Sequence, residues 1–200
     1  MRGNILLYIV IKNFSLIIFK LIFRLKIIGS ENIPKTGPFV IVANHSSLLD
    51  GFVLVSSVKP KVTFMSAAYL FIMPFVGNIL RGVGAIPVQG KGSDIKLIKE
   101  AMKVLQAGGV LGIFPEGKIT NEKDSFSAKA GAAYLAMKAD VPIIPMAIKG
   151  ANKVLPLGAK FPKLSKIEVN IRKPIFYPKK IKLNKKILEG IVNSYMKEIY

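Results

Sequence analysis

The 200-residue chain has no cysteine and a single histidine, His45. The first absence excludes thiol nucleophiles, disulfides and thiolate metal sites. The second excludes a histidine-rich metal centre. Acidic residues are scarce, eleven Asp and Glu against thirty Lys and Arg, which leaves a formal net charge of +19. None precedes Glu31. There is no Gly-x-Ser-x-Gly elbow to seat a serine nucleophile, no internal repeat and no low-complexity segment. No helix-turn-helix, zinc-finger or aromatic–basic ribonucleoprotein pattern accompanies the charge, so basicity alone does not argue for a nucleic-acid partner. No apolar run reaches the roughly 18 uncharged residues that a spanning helix needs. A cleaved signal peptide also fits poorly, because basic residues interrupt and follow the first apolar stretch and no Ala-x-Ala-like site comes after it.

What is present is an apolar and basic chain, 51% hydrophobic with a mean hydropathy of +0.43. That pairing suits a protein on an anionic bilayer surface, where apolar area enters the interface and Lys and Arg meet headgroups. Residues 1–28 differ from the remainder. Ile5 to Ile11 is unbroken apolar sequence, after which Lys12, Lys20, Arg24 and Lys26 intervene. On a helical projection Leu7, Phe14, Ile18, Leu21, Leu25 and Ile28 share one face, and Lys12, Asn13, Lys20 and Arg24 the other. The pattern predicts an amphipathic, membrane-associated helical segment over 1–28, followed by a single domain over 29–200. A helix simply packed on that domain accounts for the same periodicity.

Within the domain, strands alternate with helices. Strands are predicted at Phe39–Ala43, Val62–Met65, Gly82–Val88, Val110–Phe114, Val141–Ile148 and Ile167–Ile171. The prolines of the fifth suggest an edge or irregular strand. Helices are predicted from about Gly51 to Val58, from a Ser93 or Asp94 cap to Gln106, from Ala128 to Lys138 and from Asn184 to Tyr200. Tyr69–Val76 is apolar without clear period; it could line a pocket, meet lipid or pack in the core. The alternation implies an α/β fold with a mostly parallel sheet flanked by helices. In such sheets sites form just beyond strand ends.

Three strand ends carry chemistry. The first runs into His45, with Asp50 five residues on. A neutral imidazole accepts a proton near pH 7, and a carboxylate one helical turn away can orient it and stabilise the imidazolium. A histidine that only caps a strand is the alternative. The second is the Gly84 region with Arg81 and Lys91. The third is Glu116-Gly117, directly after Phe114-Pro115.

Read together, these residues resemble the glycerolipid acyltransferases. Asn44-His45-Ser46-Ser47-Leu48-Leu49-Asp50 matches their His-x4-Asp motif, and Phe114-Pro115-Glu116-Gly117 their Phe-Pro-Glu-Gly motif. Gly84-Ala85-Ile86-Pro87-Val88 and Val141-Pro142-Ile143-Ile144-Pro145 look like the second and fourth motifs. Glu31-Asn32-Ile33-Pro34 and Lys129-x-Gly131-Ala132-Ala133 are also typical. The likeness covers about residues 29–150 and is greatest to the bacterial 1-acylglycerol-3-phosphate acyltransferases.

The resemblance implies a glycerol-3-phosphate acyltransferase-like fold and O-acyl transfer. His45 would be the general base and Asp50 its orienting partner. The acceptor would be a lysophospholipid hydroxyl, the donor acyl-CoA or an acidic acyl-carrier protein, and phosphatidic acid the product. No cofactor or metal is implied, and the expected location is the cytoplasmic face of the cell membrane, peripheral or monotopic. Glu116 and Gly117 would help bind the acceptor. The chain departs from the family where an acid and an arginine usually close the second motif, since Gln89-Gly90 stand there. Lys118-Ile119 replace the Thr-Arg that usually follows the third. Arg81, Lys91, Lys118 and Lys129 are the cations available to hold a phosphate in their place, though lysine lacks the bidentate fork. A different lyso-lipid or an amine acceptor, or a basic membrane-binding module without catalysis, stays open on these grounds.

Overall fold

The computed structural model describes residues 3–89, 95–120, 128–178 and 183–200. Among them, seven strands form one sheet: β1 (Lys26–Ile28), β2 (Phe39–Ala43), β3 (Val62–Ala67), β4 (Ile86–Val88), β5 (Val110–Ile113), β6 (Ile143–Lys149) and β7 (Glu168–Ile171). Their order is β1-β7-β6-β2-β5-β3-β4. All pairings are parallel except β6 with β7, which is antiparallel.

The central strand β2 is buried along its whole length. Phe39, Ile41 and Ala43 join the core cluster on one face, and Val40 and Val42 the cluster on the other. A strand covered on both faces can be apolar at every position, which is why its sequence does not alternate. Helices α1 (Ile5–Leu21), α2 (Asp50–Ser57) and α6 (Ala151–Val154) contribute to the first cluster. Helices α4 (Ile95–Gln106), α5 (Gly131–Ala139) and α7 (Lys185–Ile199) contribute to the second. Each fully buried Leu, Ile or Phe in these layers stabilises the fold by about 1.5–3 kcal/mol. The α/β architecture with a mostly parallel sheet is therefore as expected.

Several local expectations need correction. The N-terminal helix ends at Leu21, and Lys26–Ile28 pairs with β7 as an edge strand. Asn4 caps the helix, its Oδ1 accepting from Leu7 N at 3.1 Å. Part of the helix also packs on the domain. Tyr8, Ser15 and Phe19 are buried, while Phe14 and Leu21 face out. Lys12, assigned to the polar face, lies half-buried with its Nζ donating to Lys59 O at 2.6 Å, and burial lowers its pKa. Tertiary partners for the helix, notably Val62 N donating to the Tyr8 hydroxyl at 2.9 Å, decide the orientation that periodicity alone left ambiguous.

The strand predicted over Gly82–Val88 is shorter. Val76–Val83 forms helix α3, and Gly84 closes it at φ 80°, a left-handed conformation that glycine adopts without strain. The 3-10 segment Ala68–Ile72 precedes it. The proline-bearing strand β6 is interior, between β2 and β7. Proline removes only a donor, and the carbonyls of Pro142 and Pro145 still accept from Val40 N at 3.0 Å and Arg172 N at 2.8 Å. Helix α2 begins at Asp50, one residue before the predicted start. The Ser93 or Asp94 cap falls outside the described residues.

Candidate active site

Strand β2 is the pivot of the sheet: β5, β3 and β4 lie on one side of it, β6, β7 and β1 on the other. Beyond its C-terminal end the Asn44 side chain imitates a strand residue. Its Nδ2 donates to Ile148 O at 2.8 Å and its Oδ1 accepts from Ile148 N at 2.7 Å. This fixes where the chain leaves the sheet, and the next residue is His45.

The turn from His45 to α2 is built around Asp50. Its Oδ2 lies 3.1 Å from His45 Nδ1 and accepts from the backbone N–H of Ser46 at 2.6 Å and of Ser47 at 2.7 Å. Three donors converging on one oxygen fit a carboxylate acceptor. Asp50 is fully buried, whereas the His45 side chain is 20% exposed. With Nδ1–H turned to Asp50, the ring keeps its lone pair at Nε2. Stacking completes the positioning: the His45 ring lies on Phe114 at 4.2 Å with a 16° tilt, and Phe114 lies on Phe64 at 5.9 Å. A five-residue spacing alone does not place the acid; the two backbone amides do.

Glu116 arrives from the end of β5, the neighbour of β2. Its Oε1 accepts from His45 N at 3.2 Å and from the Tyr200 hydroxyl. Its Oε2 is buried and has no hydrogen-bond partner among the described residues, as is true of Asp50 Oδ1. The turn holding it is closed by Gly117 N donating to Phe114 O at 3.0 Å. Gly117 has φ 70°, and a Cβ there would lie 3.2 Å from Lys129 Nζ. The Lys129 ammonium therefore rests against the Phe-Pro-Glu-Gly turn. Lys118 is exposed on the same turn.

Sequence reasoning thus names His45, Asp50, Glu116, Gly117 and Lys129, which the fold gathers. Arg81 is engaged within its own segment, donating to Phe71 O at 2.5 Å and Asn78 Oδ1 at 2.7 Å, so it binds Ala68–Ile72 to α3. Lys91 lies outside the described residues. Two residues escaped notice. Thr120 N donates to His45 O at 2.8 Å, fastening the second loop to the first. Tyr200 reaches Glu116 from the C-cap of α7. Burial, donation to Glu116 and the nearby Glu116 charge push its phenol above the usual tyrosine pKa, so it remains a donor at neutral pH. No local motif marks a residue whose role depends on where a distant helix ends. Among the described residues no group of three His, Asp or Glu side chains is placed to hold a metal.

A model of the family described as Acyltransferase matches residues 24–149, a span that includes both the His45–Asp50 turn and Glu116-Gly117. The chain belongs to the acyltransferase family. Over 151 residues it is 30% identical to the 1-acyl-sn-glycerol-3-phosphate acyltransferase of Bacillus subtilis, covering 75% of this chain and 73% of that protein. It is 31% identical over 157 residues to the chloroplastic enzyme of that name from Arabidopsis thaliana, covering 76% of this chain but 44% of the plant protein. The chain spans less than half the length of its plant relatives. In three dimensions it is similar to the crystal structure of the 1-acyl-sn-glycerophosphate (LPA) acyltransferase of Thermotoga maritima. The TM-score is 0.75 at 28% identity, over 96% of this chain and 78% of that one. The β2 and β5 loops of this acyltransferase fold thus carry both the family's sequence motifs and the hydrogen bonds that join them.

Proposed function

We propose that the chain transfers an acyl group from a thioester to the free hydroxyl of 1-acylglycerol 3-phosphate, giving phosphatidic acid. The observation that carries this reading is the partly exposed His45 ring fixed on buried Asp50 through Nδ1. Nε2 takes the acceptor's hydroxyl proton as its oxygen attacks the thioester carbonyl carbon. A C–O bond forms, the tetrahedral intermediate collapses, and the C–S bond breaks. The imidazolium returns the proton to the departing thiolate, so His45 ends as it began. Asp50 stabilises the transient positive charge. No acyl-enzyme is needed, consistent with a chain that has no cysteine.

Glu116 Oε2, buried and without a partner among the described residues, is suited to accept a hydrogen bond from the acceptor's glycerol portion. Lys129 and Lys118, on or against the Gly117 turn, are the cations positioned for its phosphate. We assign acyl-CoA and acidic acyl-carrier protein equally as donors; the Lys-rich surface suits either. We place the enzyme peripherally on the cytoplasmic leaflet. The apolar outward face of α1, with Ile5, Leu6, Ile9, Phe14, Ile17 and Leu21 exposed, supports a helix lying in the interface. No described helix is long and apolar enough to cross a membrane.

The decisive experiment incubates wild type and His45→Ala with 1-acylglycerol 3-phosphate and each donor, followed by lipid chromatography. Phosphatidic acid from the wild type and none from the variant is expected. Undiminished product from His45→Ala would remove His45 as the base. Product with another lyso-lipid or an amine, and none with 1-acylglycerol 3-phosphate, would replace the acceptor assigned here.

A further inference from the structure

The connection between β6 and β7 holds large apolar side chains in water. Leu157 is 64% exposed, Phe161 80% and Leu164 83%, and the lysines at 160, 163 and 166 between and after them are exposed too. The segment is pinned. Ala159 N donates to Pro156 O at 3.0 Å, Lys163 N to Val154 O at 2.7 Å and Ile167 N to Phe23 O at 3.0 Å. The apolar tips are therefore held outward, not collapsed onto the domain.

Its place is the site's edge of the sheet. β6 runs parallel to β2, so the segment leaves from the same end as His45. Leu155 O accepts from Ser47 Oγ at 2.9 Å, and Ser47 N is bonded to Asp50. Across the site, β3 ends on the same edge and runs into Ala68–Ile72 and α3. There Tyr69, Ile72 and Phe75 are exposed, in a stretch from 68 to 80 with no charged residue.

We propose that residues 155–166 are a second bilayer-contacting element, which with the segment after β3 seats the mouth of the site on an anionic membrane. Leu157, Phe161 and Leu164 enter the acyl boundary while Lys160, Lys163 and Lys166 meet phosphate headgroups. The charge pattern of this loop would also suit an acidic protein. The opposite rim would not, since it is apolar and uncharged; a bilayer fits both. This rests on the acyl-transfer reading, because a lipid acceptor must reach His45 from the membrane.

The test is sedimentation of the full chain with vesicles of phosphatidylglycerol and phosphatidylethanolamine, and with phosphatidylcholine vesicles. Phe161→Ser with Leu164→Ser should lower partition onto the anionic vesicles about tenfold, since two apolar side chains lose interfacial burial. Replacing Lys160, Lys163 and Lys166 by Gln should weaken anionic binding by at least about tenfold and leave phosphatidylcholine binding little changed. Both variants should keep wild-type turnover of a water-soluble, short-chain acceptor and donor, which shows that they fold and that the site is intact. Unchanged partition in both variants overturns the proposal. So does a loss of binding to acyl-carrier protein with vesicle binding intact. A wild type that binds vesicles through this loop but fails on the soluble pair would instead sink the acyl-transfer reading and leave the loop's role standing.

Discussion

Replacing Asp50 by Asn isolates what the buried acid contributes. Asp50→Ala is a poor choice, because it strips the acceptor from Ser46 N, Ser47 N and His45 Nδ1 together. Each orphaned donor costs about 1–3 kcal/mol. Asn keeps one oxygen. The amides of Ser46 and Ser47, at 2.6 and 2.7 Å from Oδ2, would repel the Asn amino group, so the oxygen takes that position. The oxygen still accepts from Nδ1–H, and the tautomer that leaves Nε2 free is retained. What is lost is the charge facing the imidazolium. At a charge separation of about 4 Å and an effective dielectric of about 20, that interaction is worth up to about 4 kcal/mol. Only part of the charge develops in the transition state, so the expected fall in kcat/KM is roughly 30- to 300-fold. The assay is initial-rate phosphatidic acid formation, with thermal melting run beside it. Full activity would refute the role of Asp50. A loss as complete as that of His45→Ala, with the fold intact, would show that Asn had flipped and that the Ser46 and Ser47 amides do not dictate the tautomer.

Three further outcomes follow from the Glu116 loop. Tyr200→Phe removes one of two donors to Glu116 Oε1 and should lower kcat/KM about threefold to tenfold, chiefly through acceptor KM. The raised Tyr200 pKa sets a sign for pH: its contribution to stability is full below the usual tyrosine value near pH 10 and is lost as pH climbs above it. Chemical denaturation from pH 8 to 11 should therefore fall more steeply for wild type than for Tyr200→Phe; parallel curves would discount the contact. Gly117→Ala forces a side chain into φ 70° and toward Lys129 Nζ, and should cost about 1–2 kcal/mol in stability. Its acceptor KM should rise more than its donor KM, and equal increases would detach this turn from the acceptor.

The sequence by itself made the candidate site residues and the fold class legible. An apolar run ending at His45, an acid five residues on and Glu116-Gly117 after a second run are local features, and the physics of strands and turns makes them legible. The strand–helix alternation was equally readable, because burial on both faces leaves continuous apolar runs such as Phe39–Ala43. Three things waited for tertiary structure. The packed face of α1 could not be read from its periodicity, because a helix apolar on most sides offers several candidate faces. Its contacts with α2, α3 and Val62 choose between them. Strand β6 is not the edge strand that its prolines allowed for, because whether a missing donor matters depends on the neighbour strand. Tyr200 was invisible, because its hydrogen bond to Glu116 arises from the approach of α7 to a loop 84 residues earlier. Local chemistry is written in the chain; the choice of partner for each exposed face and each distant donor is made only when the chain packs.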